Sequence, residues 1–257
     1  MRLVSLLFHD VYESDPGESG FRSPAADRYK LSVPDFEAQL DGLAELRTAD
    51  LRIPDPGSRV PVITVDDGGV SYYTTIADRL EALDLRAHCF VSTDFIGERG
   101  FLTAEQIREL DARGHVIGTH SASHPARFSA LTLHEMRREW SQSRERLEDI
   151  LDHAVTVGSV PGGYFSHRVA RAAADAGLRT LYTSEPTTTS STCDDCVVMG
   201  RFTIRRGHPP DMARRFAATA PWARCSAWVA WNAKAAVKPV LGASYARIAD
   251  WILEPNR

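Results

Sequence analysis

The chain has 257 residues, of which 43% are apolar and 25% charged, and its formal net charge is −4. That length fits one domain of generous size, or one domain with an extension, and buries a core without disulfides or a structural metal. The acidic balance argues against a nucleic-acid-binding surface, and the four cysteines (Cys89, Cys193, Cys196 and Cys225) are too few for a disulfide scaffold.

The opening MRLVSLLFHD has one Arg and a short apolar run cut off by His9 and Asp10. It lacks the longer apolar region and cleavage site of a secretory signal, and no run of about 18 apolar residues follows. The expected address is cytoplasmic, with the inner membrane face left open. Leu3 to Phe8 predicts a buried strand, and the Gly-, Pro-, Ser- and Asp-rich stretch from Asp10 to Leu31 a long loop. Ser32 caps a predicted helix in which Phe36, Leu40, Leu43 and Leu46 recur at helical spacing. A strand over 60–65 ends at Asp66-Asp67-Gly68, followed by a helix over 74–83 and a strand over 87–91 holding Cys89 as a core residue.

Thr103 caps a helix to Arg113, stopped by Gly114, and a strand over 116–119 runs into His120. Thr132 and Glu135 form a capping box for a long helix to Leu151. A strand over 155–160 precedes Pro161-Gly162-Gly163, a helix over 167–176 stops at Gly177, and strands follow at 180–183 and 203–205. Strand and helix alternate, which implies a parallel sheet or a barrel. The polar clusters at Asp66, His120 and Pro161 fall just after strand C-termini, where βα barrels build active sites. From about Phe216 to Arg257 the chain changes character. It becomes Ala-rich, carries Trp222, Trp228, Trp231 and Trp251, and interleaves Arg214, Arg215, Arg224, Lys234, Lys238 and Arg247. This extension reads as helical and amphipathic, broken at Pro239 and Gly242; it either packs on the barrel or lies on an anionic membrane surface.

Two clusters carry chemistry. His120 and His124 are four apart, a spacing that puts two imidazoles on one face of a helical turn and within reach of one cation. Asp66 and Asp67 follow an apolar strand and diverge in direction, so one carboxylate can bind metal while the other faces a water. Each has a bland reading as well: a chance pair among nine His, and a solvated Asp-Gly turn.

Together they resemble the polysaccharide deacetylases (carbohydrate esterase family 4). The carriers are Thr64-Val65-Asp66-Asp67-Gly68 and His120-Ser121-Ala122-Ser123-His124, with the linking text LDLRAHCFVSTDFIG and FLTAEQIRELDARGHVIGTHSASHP. The resemblance runs from about Leu3 to Arg205 and implies an α/β fold: a distorted (β/α) barrel, here residues 1–215, with residues 216–257 as a helical extension. It implies Asp67, His120 and His124 as ligands of one divalent metal ion, with zinc favoured and nickel, cobalt and manganese open. It implies Asp66 as general base. The family's Arg before Pro-Tyr-Gly is replaced by Ser159 in Ser159-Val160-Pro161-Gly162-Gly163, as in deacetylases of poly-N-acetylglucosamine and similar exopolysaccharides. This departure puts the tuning of the base in doubt.

No late Leu-x-His motif supplies the general acid. Leu7-Phe8-His9 stands directly after the first strand and resembles the relocated motif of that subgroup, so His9 is preferred as acid and His208, in RRGHPP, is the runner-up. Gly162, Pro161 and Asp10 are assigned to the oxyanion or substrate. The implied substrate is a carbohydrate or glycolipid whose N-acetyl or N-acyl group is removed. Hydrolysis of a small non-sugar amide, and non-catalytic carbohydrate binding, remain as alternatives. Cys193-Asp194-Asp195-Cys196 lacks a second ligand pair and reads as a surface loop.

Overall fold

The computed structural model describes residues 3–41, 43, 61–218 and 221–241, with side chains described up to residue 233. In chain order the elements are β1 (Ser5–Phe8), β2 (Val11–Tyr12), α1 (Pro24–Asp27), β3 (Leu31–Ser32), α2 (Val33–Leu40), β4 (Val62–Val65), α3 (Ala77–Glu81), β5 (His88–Val91), α4 (Ala104–Ala112), β6 (Val116–Thr119) and α5 (Leu133–Leu151). They continue with β7 (Val157–Ser159), α6 (His167–Asp175), β8 (Thr180–Tyr182), β9 (Ser191–Cys193), β10 (Cys196–Met199), β11 (Phe202–Thr203), α7 (Met212–Ala217) and α8 (Pro221–Leu241). One nine-stranded sheet runs in the order β11-β1-β4-β5-β6-β7-β8-β10-β9, and every pairing in it is parallel except that of β9 with β10. This is the distorted (β/α) barrel, left open between β11 and β9.

The caps explain where the helices begin. Ser32, Thr103 and Thr132 each accept a hydrogen bond from the third helical N–H, and Gln106 and Glu135 reach back to complete two capping boxes. Gly114 and Gly177, both at φ 91°, stop α4 and α6 in the left-handed region that a side chain disfavours. Outside the barrel, one core joins β1, β4 and β5 to α2, α3 and α4, and a second joins β8, β10 and Val160 to α5 and α6. Inside it, Leu3, Val62, Phe90, Tyr182 and Met199 fill the lumen.

Several expectations are corrected. The stretch from Asp10 to Leu31 is not bare loop: β2 pairs with β3, and Pro16–Glu18 and α1 are helical turns. Its order comes from Lys30, 1% exposed, whose ammonium donates to the carbonyls of Pro16, Ser19 and Phe21. A buried cation here does what a hydrogen-bond ladder does elsewhere. The helix expected over 74–83 starts with a π-helical turn, Tyr72–Ile76. The cysteine motif is not a loop but the end of the β9–β10 hairpin, with Cys193 opposite Cys196 and both thiols free. Helix α8 runs through Pro239 to Leu241, so the break expected at Pro239 is not there. Leu46, Arg247 and Trp251 lie outside the described residues, as does the break expected at Gly242.

Candidate metal centre and active site

Parallel pairing brings the strand ends level. Phe8 pairs with Val65, Val91 with Thr119, and Ser159 and Met199 each with Tyr182. The next residues (His9, Asp66, His120, Val160 and Thr183) therefore surround one mouth of the barrel.

Asp67 leaves β4 at φ 80°, a strained setting for a residue with a Cβ. His120 follows β6 directly. His124 is reached not along a helical turn, as the four-residue spacing suggested, but through a loop in which Ser121 (φ 67°) and His124 (φ 51°) are left-handed. Ser121 Oγ accepts from the His124 N–H at 3.1 Å, and Thr119 Oγ1 from the Ser121 N–H at 3.1 Å. Glu139, in the buried stripe of α5, accepts from the N–H groups of Ala122 (3.1 Å) and Ser123 (2.9 Å) and from Ser123 Oγ (2.7 Å). Sequence reasoning missed Glu139. Its signal is an acid at a core position of the helix.

One donor atom from each of Asp67, His120 and His124 lies within 4.8 Å of the others. Asp67 Oδ1 is 3.5 Å from Nε2 of both histidines. His120 Nδ1–H donates to the Ser159 carbonyl at 2.9 Å, which aims Nε2 at the cluster; burial lowers the pKa of this imidazole, but Asp66 and Asp67 outweigh it and raise it, so an ion bound at Nε2 would displace a proton. One carboxylate oxygen and two imidazole nitrogens, converging and partly buried, fit a divalent ion such as zinc. Burial alone would raise the Asp67 carboxyl, but its hydrogen bond to His120 and the pull of His9, His124 and His120 hold it well below the usual range. Burial, and then His120, push His124 down to about 4. Both groups are thus in the forms that bind metal at neutral pH.

Asp66, 3% exposed, lies beside the cluster, with Oδ2 3.8 Å from His120 Nε2. Arg201, which lies between β10 and β11 and is fully buried, donates to both its oxygens, at 2.7 and 2.8 Å. The same guanidinium donates to Ser159 Oγ (2.7 Å), Thr64 Oγ1 (3.1 Å) and the Thr183 carbonyl (3.0 Å), so all five N–H donors are placed. Ser159 Oγ in turn donates to Asp66 at 3.1 Å. The rings of Phe90 and Tyr182 lie 5.8 and 5.9 Å from the guanidinium carbon. Burial pushes the Asp66 carboxyl up; Arg201 and then His120 outweigh it and keep the group ionised. A guanidinium absent from position 159 thus reaches this carboxylate from the junction of β10 and β11, with Ser159 as a small partner that leaves it room. Its sequence signal is a lone charge in the apolar text VVMGRFTI.

His9 stacks on Tyr29 at 4.8 Å, and its buried Nδ1 has no hydrogen-bond partner. Burial lowers its pKa, opposed by the nearby charges of Asp67 and Asp66. His208 is turned elsewhere: Arg205 Nε donates to it at 3.2 Å, Phe216 packs beside it, and burial followed by Arg205 lowers it to about 4. Asp10 is committed to the loop, accepting from Ser19 Oγ (2.6 Å) and Ser71 Oγ (2.7 Å). Gly20 and Gly69 crowd it so closely that a Cβ on either would lie within 2 Å of its oxygens (1.9 and 1.8 Å). Burial raises it to about 6. Pro161–Gly163 forms a 3-10 turn, and Gly162 is held at φ 64° with its Cβ position 3.1 Å from the Ala126 carbonyl. Phe21, from the loop that Lys30 organises, lies 4.6 Å from His124 and walls that side of the site.

Residues 54–181 match the family model described as polysaccharide deacetylase. Among curated proteins, chitin deacetylase 1 of Cryptococcus neoformans is 28% identical over 149 residues, 56% of this chain and 31% of its own length. The chain spans less than half the length of the curated relatives it matches. Two solved structures share the fold. The Streptococcus pyogenes deacetylase PplD, in complex with acetate, superposes with a TM-score of 0.65 at 18% identity, over 82% of this chain and 95% of that one. IcaB from Ammonifex degensii superposes with a TM-score of 0.66 at 21% identity, over 87% and 97%.

Proposed function

The chain belongs to the polysaccharide deacetylase family, and from that premise we propose that it is a metal-dependent hydrolase removing an N-acetyl or similar N-acyl group from an amino sugar. One observation carries the reading: a converging Asp67, His120 and His124 donor set stands beside a second carboxylate, Asp66, kept ionised by Arg201.

Asp67, His120 and His124 would hold the ion, which when bound supplies a Lewis acid that polarises the acyl carbonyl and acidifies a water. Asp66 accepts the proton of the attacking water. Arg201 and Ser159 fix that carboxylate in one orientation and lower its charge cost, so the base is preorganised. In this reading the N–H of Gly162 donates to the oxyanion of the tetrahedral intermediate. His9 delivers a proton to the leaving nitrogen; burial keeps this imidazole ready to give a proton up, while two carboxylates help it gain one. Water adds to the acyl carbon, the C–N bond breaks, and a carboxylate and a free amine leave. His208 is turned to Arg205 and Phe216, which supports His9 as the acid.

The reading as a non-catalytic carbohydrate binder rested partly on the missing Arg, and Arg201 removes that support. Acetate release from N-acetylglucosamine oligomers by the metal-loaded protein tests the proposal. It is sunk if no acetate appears and Asp66→Asn behaves as the parent does. A parallel screen with cyclic amides separates the sugar from the small-amide alternative.

A further inference from the structure

Helix α8 carries features that catalysis does not use. Ala223 is buried, Ala227 packs on the core, and the ring end of Trp231 reaches to 3.5 Å from the Cβ position of Gly163, beside the active-site turn. Trp222, Trp228 and Val229 point outward and are 58%, 50% and 59% exposed. They are three of the five large hydrophobic side chains exposed among the described residues, a concentration that marks an interaction surface. The other exposed positions described on this helix are Cys225, Ser226, Ala230, Asn232 and Ala233, so this face carries no charge.

The charge of the surrounding sequence is segregated. From residue 211 to residue 250 there are six basic residues (Arg214, Arg215, Arg224, Lys234, Lys238 and Arg247) and two acidic ones, Asp211, which pairs with Arg214 and Arg215, and Asp250, in a chain of net charge −4. The Arg215 guanidinium lies 5.5 Å from the Trp222 ring, which sets a cation beside the aromatic face. Tryptophan flanked by basic residues is the composition that seats a helix at a membrane–water interface. No described helix is long and apolar enough to cross a membrane, so such a helix would lie on the bilayer.

We propose that the outward face of α8 docks on an anionic lipid bilayer, with Trp222, Trp228 and Val229 seated in the interface. A second copy of the chain is a poorer occupant, because the described face offers no carboxylate to meet the basic residues that flank it. On the deacetylase reading, on which this consequence alone rests, docking holds the Gly162 turn next to the lipid surface. The favoured substrate is then an amino sugar carried on a lipid.

Vesicle flotation of the full chain tests docking independently of catalysis. The protein is expected to float with phosphatidylglycerol vesicles, to float far less with phosphatidylcholine vesicles, and to be released by salt. Trp222→Ala/Trp228→Ala should cut the floated fraction about tenfold and remove the blue shift of tryptophan emission, with the circular dichroism spectrum and metal content unchanged. Lys234→Glu and Lys238→Glu should each weaken binding by about fivefold or more. The proposal is overturned if the chain stays in the soluble fraction with both lipids, or if the tryptophan and lysine variants float as the parent does. It is also overturned if sedimentation shows a dimer that the tryptophan variants disperse, since a second copy then covers the face.

Discussion

Asp66 and Asp67 are neighbours in sequence and sit in opposite surroundings. Asp67 looks outward to two imidazoles, His120 and His124, both of which come from one short loop. Asp66 is held by Arg201 and Ser159, gathered from two other places in the barrel. One backbone turn at φ 80° divides a candidate metal grip from a buried ion pair. The lesson is that two identical side chains acquire different chemistry from what the fold brings to each, not from their own type.

That division predicts a split between the two positions. Asp67→Ala or His124→Ala is expected to abolish stoichiometric metal binding and to lower acetate release by on the order of a thousandfold or more, measured by elemental analysis and product assay. Asp66→Asn should lose about 100- to 10,000-fold in rate while retaining the metal. If Asp66→Asn also releases the metal, the two carboxylates act as one site and the contrast is broken.

Arg201→Met tests the inward half. Removing one member of a buried pair leaves Asp66 uncompensated, at an expected cost of about 3–5 kcal/mol in chemical denaturation. In the fraction that folds, the acid limb of the pH–rate profile should move upward, because burial then acts on Asp66 without its first-ranked opposing charge. Unchanged stability and profile would show that Ser159 alone suffices.

Glu139→Gln tests the outward half without touching a ligand. Losing a carboxylate that holds the Ala122 and Ser123 N–H groups should loosen the loop between the histidines and weaken metal affinity by about 10- to 100-fold. The thermal midpoint should fall only slightly, and a metal titration reads the effect directly. An affinity equal to the parent's would mean that Ser121 and Thr119 hold the loop unaided.

The smallest effect is at Asp10, which neighbours both halves. Its folded pKa is raised to about 6 by burial, above the unfolded value of about 3.9. Its contribution to stability is therefore complete below about pH 4 and is lost as pH rises through about 6. Between about pH 5 and 7 this amounts to about 1 kcal/mol, and Asp10→Asn should lack that slope in urea unfolding followed across the range. Parallel slopes in parent and variant would refute the assignment.

The elements legible in sequence were those with local causes. Ser32, Thr103 and Thr132 declared the starts of α2, α4 and α5, and Gly114 and Gly177 the ends of α4 and α6, because a cap is a bond among residues three or four apart. The Asp66-Asp67-Gly68 and His120–His124 segments were legible because each is contiguous. What could not be read locally were the partners. Lys30 organises the loop from Asp10 through three carbonyls, and the histidines approach one another through left-handed backbone where spacing suggested a helix. The hairpin joining Cys193 to Cys196 hid in a Thr- and Ser-rich stretch because its register is set by β8, not by its own alternation.

By itself, then, the sequence determined the alternation of strand and helix, the two motifs and their order, and the identity of the three candidate ligands. The alternation follows from periodicity along one chain, and the choice of Asp67, His120 and His124 from the resemblance of the two motifs to the deacetylase family. Tertiary structure decided what keeps Asp66 ionised. Arg201 lies 135 residues away along the chain, and only the level ends of parallel strands bring it within 3 Å of that carboxylate. Burial then makes the pairing obligatory, since neither charge can be left in the barrel alone.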